Sequence, residues 1–444
     1  MDKTTDLVRP DPDGGTSSPK TEQKNGIRKV IAASTVGTSI EYYDYFIFGT
    51  AAATVFPQLF FPQFSPLAGT LAAFATFGAG FFARPLGAAI AGHFGDRIGR
   101  KSMLVMTLLV MGVATFAIGL LPGYDTIGIW APILLVVLRL IQGFGVGGEL
   151  PGAQLMCVEH APANRRGFFG SWPQSASPIG LALATGAFVV IGNIVDEEQF
   201  MAWGWRIPFL FSGVLVLVGI FVRLSTHESP VFKEAQKLGQ KSALPIGEYF
   251  SKNRVQALRG IGMYLGVTVI YYIVTTFMMS YTTGQLEMNR SDVLNVVLLA
   301  QPVFFVCCLV GGALSDRIPR HRVYALSSLG VGVVAFPSFA LIDLGTPVML
   351  FLGVVLLGGF LFLYCGVQGA LFAEMFDVRI RYTGMSLSIA LATLIGGAFT
   401  PALGTLLVEW FGGRSYGVSL LVIAIALIAA ASAHSSRKAQ AFSK

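Results

Sequence analysis

Five charged residues sit where the chain is otherwise apolar: Glu41, Asp44, Arg84, Arg139 and Glu149. Their types could move a proton and hold an anion. A carboxyl group takes up or releases a proton, and the planar fork of an Arg can bind a carboxylate bidentately. Glu41 and Asp44 are spaced i and i+3, so a helix puts them on one face. Two acids that close, poorly solvated, cannot both ionise easily. Together with Arg84 and Arg139 they balance to zero charge. A carboxylate substrate upsets that balance by one negative charge, and protonating one acid restores it. Proton coupling could arise from this conservation of charge. A static ion pair between one acid and one Arg is the other reading of the same residues.

The elements that must position them are membrane helices. Of 444 residues, 54% are hydrophobic and 12% charged. A soluble protein needs about twice that charged fraction to cover its surface. Twelve apolar runs, from 31–57 to 416–434, are long enough to cross a ~30 Å hydrocarbon core as helices. Charges inside such spans are costly and usually functional. Glu41 and Asp44 lie about 17 and 21 Å into span one at ~1.5 Å per residue. Arg84 is about 18 Å from Asp96, and Arg139 about 14 Å from Trp130. All four are near the midplane, where alternating-access carriers place their sites.

The individual assignments follow from this depth. Asp44 and Glu41 are candidate proton carriers. Arg139 is the leading candidate for a substrate carboxylate. Arg84 is a second candidate, although Pro85 and Gly87 suggest a kinked span in which it satisfies freed carbonyls. Glu149, about 15 Å further inward than Arg139, is a second proton station, a gate contact or a packing partner. The second half has no comparable midplane charge. Its Tyr264, Tyr272 and Gln368 are the candidates for hydrogen bonds to substrate, with Tyr271, Gln301 and Tyr364 behind them.

The chain repeats itself. GHFGDRIGRK at 92–101 returns as GALSDRIPRH at 312–321, 220 residues later. Glu159 and Arg166 return as Glu374 and Arg381, 215 residues later. Two matches at nearly one offset, each between apolar runs, mark a duplicated bundle. The expected organisation is a disordered tail at 1–27, a six-helix half at 28–223, a central loop at 224–257, a second half at 258–434 and a tail at 435–444. If the N-terminus is cytoplasmic, three of the 31 Lys and Arg fall in outer loops (Arg206, Arg290, Arg414) and two inside spans (Arg84, Arg139). The rest are cytoplasmic, as the positive-inside rule requires, so both termini are expected inside. The net charge of +7 is this bias and calls for no nucleic acid. The four cysteines fall in or beside spans, so no disulfide framework is implied. No P-loop, G-x-S-x-G, metal-ligand spacing or His cluster points to an enzyme, a cofactor or a metal.

Several strings together resemble the major facilitator superfamily, and within it the metabolite:proton symporters. They are Glu41-Tyr-Tyr-Asp44, Arg84-Pro85, GHFGDRIGRK, and Arg139 with Gln142-Gly143 and Gly147-Gly148-Glu149. Trp203-Gly204-Trp205-Arg206-Ile207-Pro208-Phe209 and Glu228-Ser229-Pro230 complete the set. The resemblance covers nearly the whole chain and extends to shikimate, α-ketoglutarate and proline/betaine transporters, with the shikimate-like and uncharacterised branches closer than the proline/betaine one. It implies an all-α membrane protein of twelve helices in two pseudo-symmetric halves, in a bacterial inner membrane and working as a monomer. The implied activity is proton-coupled import of a small mono-, di- or tricarboxylate. A uniporter, exchanger or exporter on the same fold, or a symporter of a zwitterion such as proline or betaine, is the alternative. The resemblance also implies gating by Asp96, docked on a neighbouring helix end, with Arg97 and Arg100. Asp316 and Arg317 repeat the motif more weakly, because Pro319 replaces its glycine. The plain alternative is that the basic residues only set topology. Leu150-Pro151 departs from the family, and a proline there could bend span four.

Overall fold

The computed structural model describes residues 19–224 and 245–437. The central stretch expected at 224–257 and both tails therefore lie partly outside the described residues. So do the side chains of Asp96 and Arg100. Among the described residues there is no strand, and eleven helices are long and apolar enough to cross a membrane. Span one, Pro19–Thr54, is the twelfth. Its hydropathy is diluted by a polar first third and by Glu41 and Asp44. This helix begins inside the stretch expected to be a disordered tail. Pro19 suits a first helical position, and no further proline follows until Pro57.

The other spans are Pro66–Ile98, Arg100–Leu120, a broken fourth, Arg166–Ile194, Arg206–Leu224, a seventh from Arg254, Arg290–Leu314, Arg320–Ile342, Pro347–Met375, a broken eleventh and Tyr416–Ser435. Span four runs as Trp130–Val146 and Glu149–His160, parted at Gly147-Gly148. Pro151 has no N–H to give the Gly147 carbonyl four residues earlier, and its ring crowds that turn. Span seven widens into a π turn at Ile273–Phe277, just after Tyr272. Span eleven is parted between Gly397 and Thr400, with Pro401 opening the second piece.

Two six-helix halves face each other. Span two packs along span eleven, and span five along spans eight and ten. Within each half, one crossing has no room for side chains. A Cβ on Gly143 would overlap the Gly80 carbonyl, and one on Gly87 the Phe144 carbonyl. The second half repeats this between spans eight and ten. There a Cβ on Gly311 would meet the Leu363 carbonyl, and one on Gly366 the Cys308 carbonyl. Lipid tails are as apolar as leucine, so helices in a bilayer are held by such close packing rather than by a hydrophobic drive.

These crossings should be intolerant of a single methyl group. We expect Gly143→Ala and Gly366→Ala each to cost about 1–3 kcal/mol, seen as a lower melting temperature of detergent-purified protein. A Cβ on Gly186 meets nothing within 4 Å. Gly186→Ala should melt at or above the wild-type temperature, and equal melting of all three variants would refute the crossing argument.

Candidate functional site

A cavity opens between the halves near the middle of the spans. Span one lines it with Glu41, Tyr42 and Tyr45, span two with Arg84, and span five with Gln174. The break in span four contributes Val146, Gly147, Leu150 and Pro151. Across from these stand Tyr264, Val267, Thr268, Tyr271 and Tyr272 of span seven, and Ile389, Ala390 and Thr393 of span eleven. The wall thus carries one carboxyl group, one guanidinium and five tyrosines.

Arg84 reaches the cavity because Gly87 and Gly147 let spans two and four touch backbone to backbone around it; a Cβ on Gly147 would press on the Arg84 carbonyl. Its guanidinium lies 5.1 Å from the Tyr45 ring centre and 4.8 Å from that of Phe81. Tyr45 carries a second cation on its ring, Arg139 at 5.3 Å. Arg139 is buried, with Phe48 at 4.4 Å and Phe77 at 4.9 Å from its guanidinium carbon. Rings around a desolvated guanidinium offset part of its lost hydration. Tyr45 is also a bridge between halves, since its hydroxyl lies 2.5 Å from that of Tyr272. Beside it, Ser177 and Tyr271 pair at 2.9 Å.

Behind this wall lies a second, drier network. Asp44 is 0% exposed and does not line the cavity. Its Oδ2 accepts from Thr115 at 3.0 Å, and its Oδ1 has no hydrogen-bond partner. Gln142 donates to Thr115 at 2.8 Å and accepts from Arg139. Asp44 and Arg139 are therefore linked through Thr115 and Gln142, and among the described residues no ion pair joins Asp44 to either Arg.

The remaining expected residues divide by position. Glu41, Arg84, Tyr264 and Tyr272 line the cavity. Asp44 and Arg139 sit behind it. Glu149 is buried and accepts from Thr107 at 3.2 Å, facing away from the cavity that its neighbours line. Gln368 is also outside the lining; it is buried, and neither of its amide atoms has a hydrogen-bond partner.

At the basic end of the bundle the halves are tied together. The Asp316 carboxylate accepts from the backbone N–H groups of Gly167, at 2.7 Å, and Phe168, at 2.9 Å. These are the first free donors of span five, where a helix favours negative charge. Arg320 stands 3.6 Å from Asp316 and also pairs with Glu374. Arg381 reaches Glu159 of the other half at 3.3 Å. The first copy of the repeated motif packs where symmetry requires, with Gly92 and Gly95 against Thr383 and Tyr382 at the start of span eleven. Tyr382 donates to the Gly148 carbonyl at 2.7 Å, at the break in span four. Arg97 is half-buried at this end and Arg317 is exposed. Sequence reasoning did not single out Tyr45, Thr115, Gln174, Tyr382 or Thr393 as site residues. It used Glu159 and Arg381 as repeat markers without pairing them.

Comparison with known proteins agrees with this architecture. Residues 35–387 match the Major Facilitator Superfamily. The chain is 41% identical over 423 residues to the inner membrane metabolite transport protein YhjE of Escherichia coli K12, covering 93% of this chain and 95% of that one. It is 41% identical over 436 residues to the shikimate transporter of the same organism, covering 98% of each. It is 36% identical over 393 residues to the Escherichia coli K12 proline/betaine transporter, covering 86% of this chain and 78% of that one. Among solved structures, the proton:xylose symporter XylE bound to 6-bromo-6-deoxy-D-glucose superposes with a TM-score of 0.74. That match covers 94% of this chain and 96% of XylE at 16% identity, a likeness of fold. The chain is a multi-pass membrane transporter, not an enzyme, and belongs to the major facilitator superfamily.

Proposed function

We propose that this transporter imports a small hydroxylated carboxylic acid together with a proton. The observation that carries the reading is the cavity wall, in which the single guanidinium of Arg84 stands among tyrosine hydroxyls. The fork of Arg84 takes the substrate carboxylate, and Tyr264, Tyr272, Thr268 and Thr393 offer hydrogen bonds to ring hydroxyls. A transporter of shikimate, a compound of this chemical type, at 41% identity over 98% of each chain supports the assignment. Arg139 lies behind Tyr45 and acts on the charge balance rather than on the ligand.

The cycle follows from that balance. With Glu41, Asp44, Arg84 and Arg139 all charged, the region is neutral. A bound carboxylate adds a negative charge, which is costly in a poorly solvated site. A proton on Asp44 removes the excess, so the carrier reorients with both substrate and proton or with neither. The basic end is cytoplasmic by the positive-inside rule, and the Asp316 and Arg381 contacts close that side. One chain holds the whole cavity, so the monomer is the working unit. A zwitterion is the second reading, favoured by Glu41 in the same cavity as Arg84 and by the proline/betaine relative. A thermal-shift screen with shikimate, dicarboxylates and glycine betaine separates the two, because a ligand raises apparent stability by mass action.

In proteoliposomes, shikimate uptake should follow an inward proton gradient and collapse with a protonophore. Undiminished accumulation without the gradient would refute coupling. Asp44→Asn should retain exchange of internal for external substrate and lose proton-driven accumulation. Exchange needs only the loaded carrier to reorient, and the amide mimics the protonated acid. Equal loss of both activities in folded protein would make Asp44 structural and leave Glu41 as the proton carrier.

Arg84→Lys keeps the charge and loses the fork. It should weaken shikimate binding about tenfold or more, measured by isothermal titration, whereas binding unchanged from wild type would remove Arg84 from the ligand site. Asp316→Ala should slow transport severalfold while the ligand-induced thermal shift persists, since the latch biases end states without touching substrate. A wild-type rate would show that the basic-end contacts do not govern the cycle.

A further inference from the structure

Thr115 and Gln142 are wholly buried on spans three and four, and the cycle above gives them no task. Their geometry has an unusual property. Thr115 Oγ1 lies 3.0 Å from Asp44 Oδ2 and also 3.0 Å from the Met111 carbonyl oxygen. A hydroxyl has one proton to donate and two lone pairs. With Asp44 ionised, the Thr115 O–H serves the carboxylate. With Asp44 protonated, the acid donates to Thr115 Oγ1 and the hydroxyl turns to Met111. Gln142 donates to Thr115 in both states, at 2.8 Å. Both protonation states fit one set of heavy-atom positions, and only hydrogens move.

Gln142 also holds Arg139 by its carbonyl oxygen. This acceptor competes with Asp44 for the guanidinium. A direct Arg–Asp pair would resist protonation, because neutralising one partner leaves the other charge buried and alone. An intervening amide keeps the acid free to titrate while Arg139 still feels its charge.

We propose that Thr115 and Gln142 are positioning residues for proton coupling. Thr115 lets Asp44 change protonation state in place, and Gln142 keeps Arg139 from locking the acid in its ionised form. This rests on the reading that Asp44 carries the transported proton. That proton comes from water on one side, sits on the Asp44 carboxyl and leaves to water on the other. Thr115 and Gln142 neither gain nor lose one. The other charged or titratable groups around Asp44 are Glu41, Tyr42, Tyr43 and Tyr45 of its own span, Arg139 and Glu149 of span four and Arg84 of span two. Tyr264, Tyr271 and Tyr272 of span seven complete the set across the cavity. Spans three, five and six carry charged residues only near their ends and contain no tyrosine.

The test needs no substrate. The carbonyl stretch of a protonated carboxyl group is read by infrared difference spectroscopy across pH on full-length purified protein, and Asp44→Asn identifies the Asp44 band by its loss. Thr115→Val keeps the shape and removes the hydroxyl. A hydrogen bond to an ionised acceptor is about twice as strong as a neutral one, so this variant should hold the Asp44 proton to a pH higher by about one unit. Thr115→Ser should restore the wild-type midpoint. Gln142→Leu should move the midpoint the other way, as Arg139 closes on Asp44. Thr115→Ala repeats the measurement if Thr115→Val does not fold. A wild-type Asp44 band that does not titrate between about pH 4 and 10, near the usual carboxylate and lysine limits, would overturn the underlying reading of Asp44. A band that titrates in the wild type at the same midpoint in every Thr115 and Gln142 variant would overturn the positioning role alone.

Discussion

A charge in hydrocarbon has to be compensated from within the protein, and the first half of this molecule is arranged around that constraint. Arg139 is surrounded by Tyr45, Phe48 and Phe77 and bonded to Gln142. Asp44 leans on Thr115. These partners come from spans one, two, three and four, so satisfying the charges fixes how those four spans sit against one another. The glycine crossing of spans two and four follows from the same need. Arg84 and Arg139 lie on these two spans, and a crossing without side chains lets both guanidinium groups approach one tyrosine ring.

The second half repeats the scaffold without the charges. Gly311 and Gly366 reproduce the close crossing, and Asp316 docks on the start of span five while the first motif packs on the start of span eleven. The repeat thus forms two halves with matching ends. The intramembrane charges belong to one half only, and the other contributes tyrosines. A rocking motion between two such halves needs contacts that can break. Those among the described residues include a carboxylate on two backbone N–H groups, the Glu159–Arg381 ion pair, the Tyr382 hydrogen bond to Gly148 and paired hydroxyls.

The fold is legible in the sequence because apolar length and a repeated loop are one-dimensional signals. Depth along a helix is legible too, which is why residue spacing alone puts Glu41 and Arg84 at the level of the cavity. Azimuth is not. Arg139 and Gln368 are buried outside the cavity lining, and helix rotation is set by neighbours that a single sequence does not reveal. The crossing of Glu159 to Arg381 is hidden for the same reason: the repeat shows equivalent residues in the two halves, not partners across them. The helix at Pro19 escapes the sequence reading because polar composition and Asn25-Gly26 suggest disorder, although no proline interrupts the chain between Pro19 and Pro57. Tyr45 and Thr115 escape it because a tyrosine or threonine within a span is a common residue whose role emerges only with its contacts.

On the proposed reading, Tyr45 lets the substrate and proton sites be separate and still communicate. Its ring is shared by Arg84, which faces the cavity, and Arg139, which faces the buried acid. Both cations draw on one quadrupole, so a change in the position of either alters what the ring offers the other. Its hydroxyl is joined to Tyr272 of the opposite half. A carboxylate that pulls Arg84 toward the cavity would therefore act at once on the buried network and on the contact between halves. Direct bonding between substrate and Asp44 is not required. In that reading the acid can sit apart from the ligand, while one aromatic ring conveys whether the cavity is occupied.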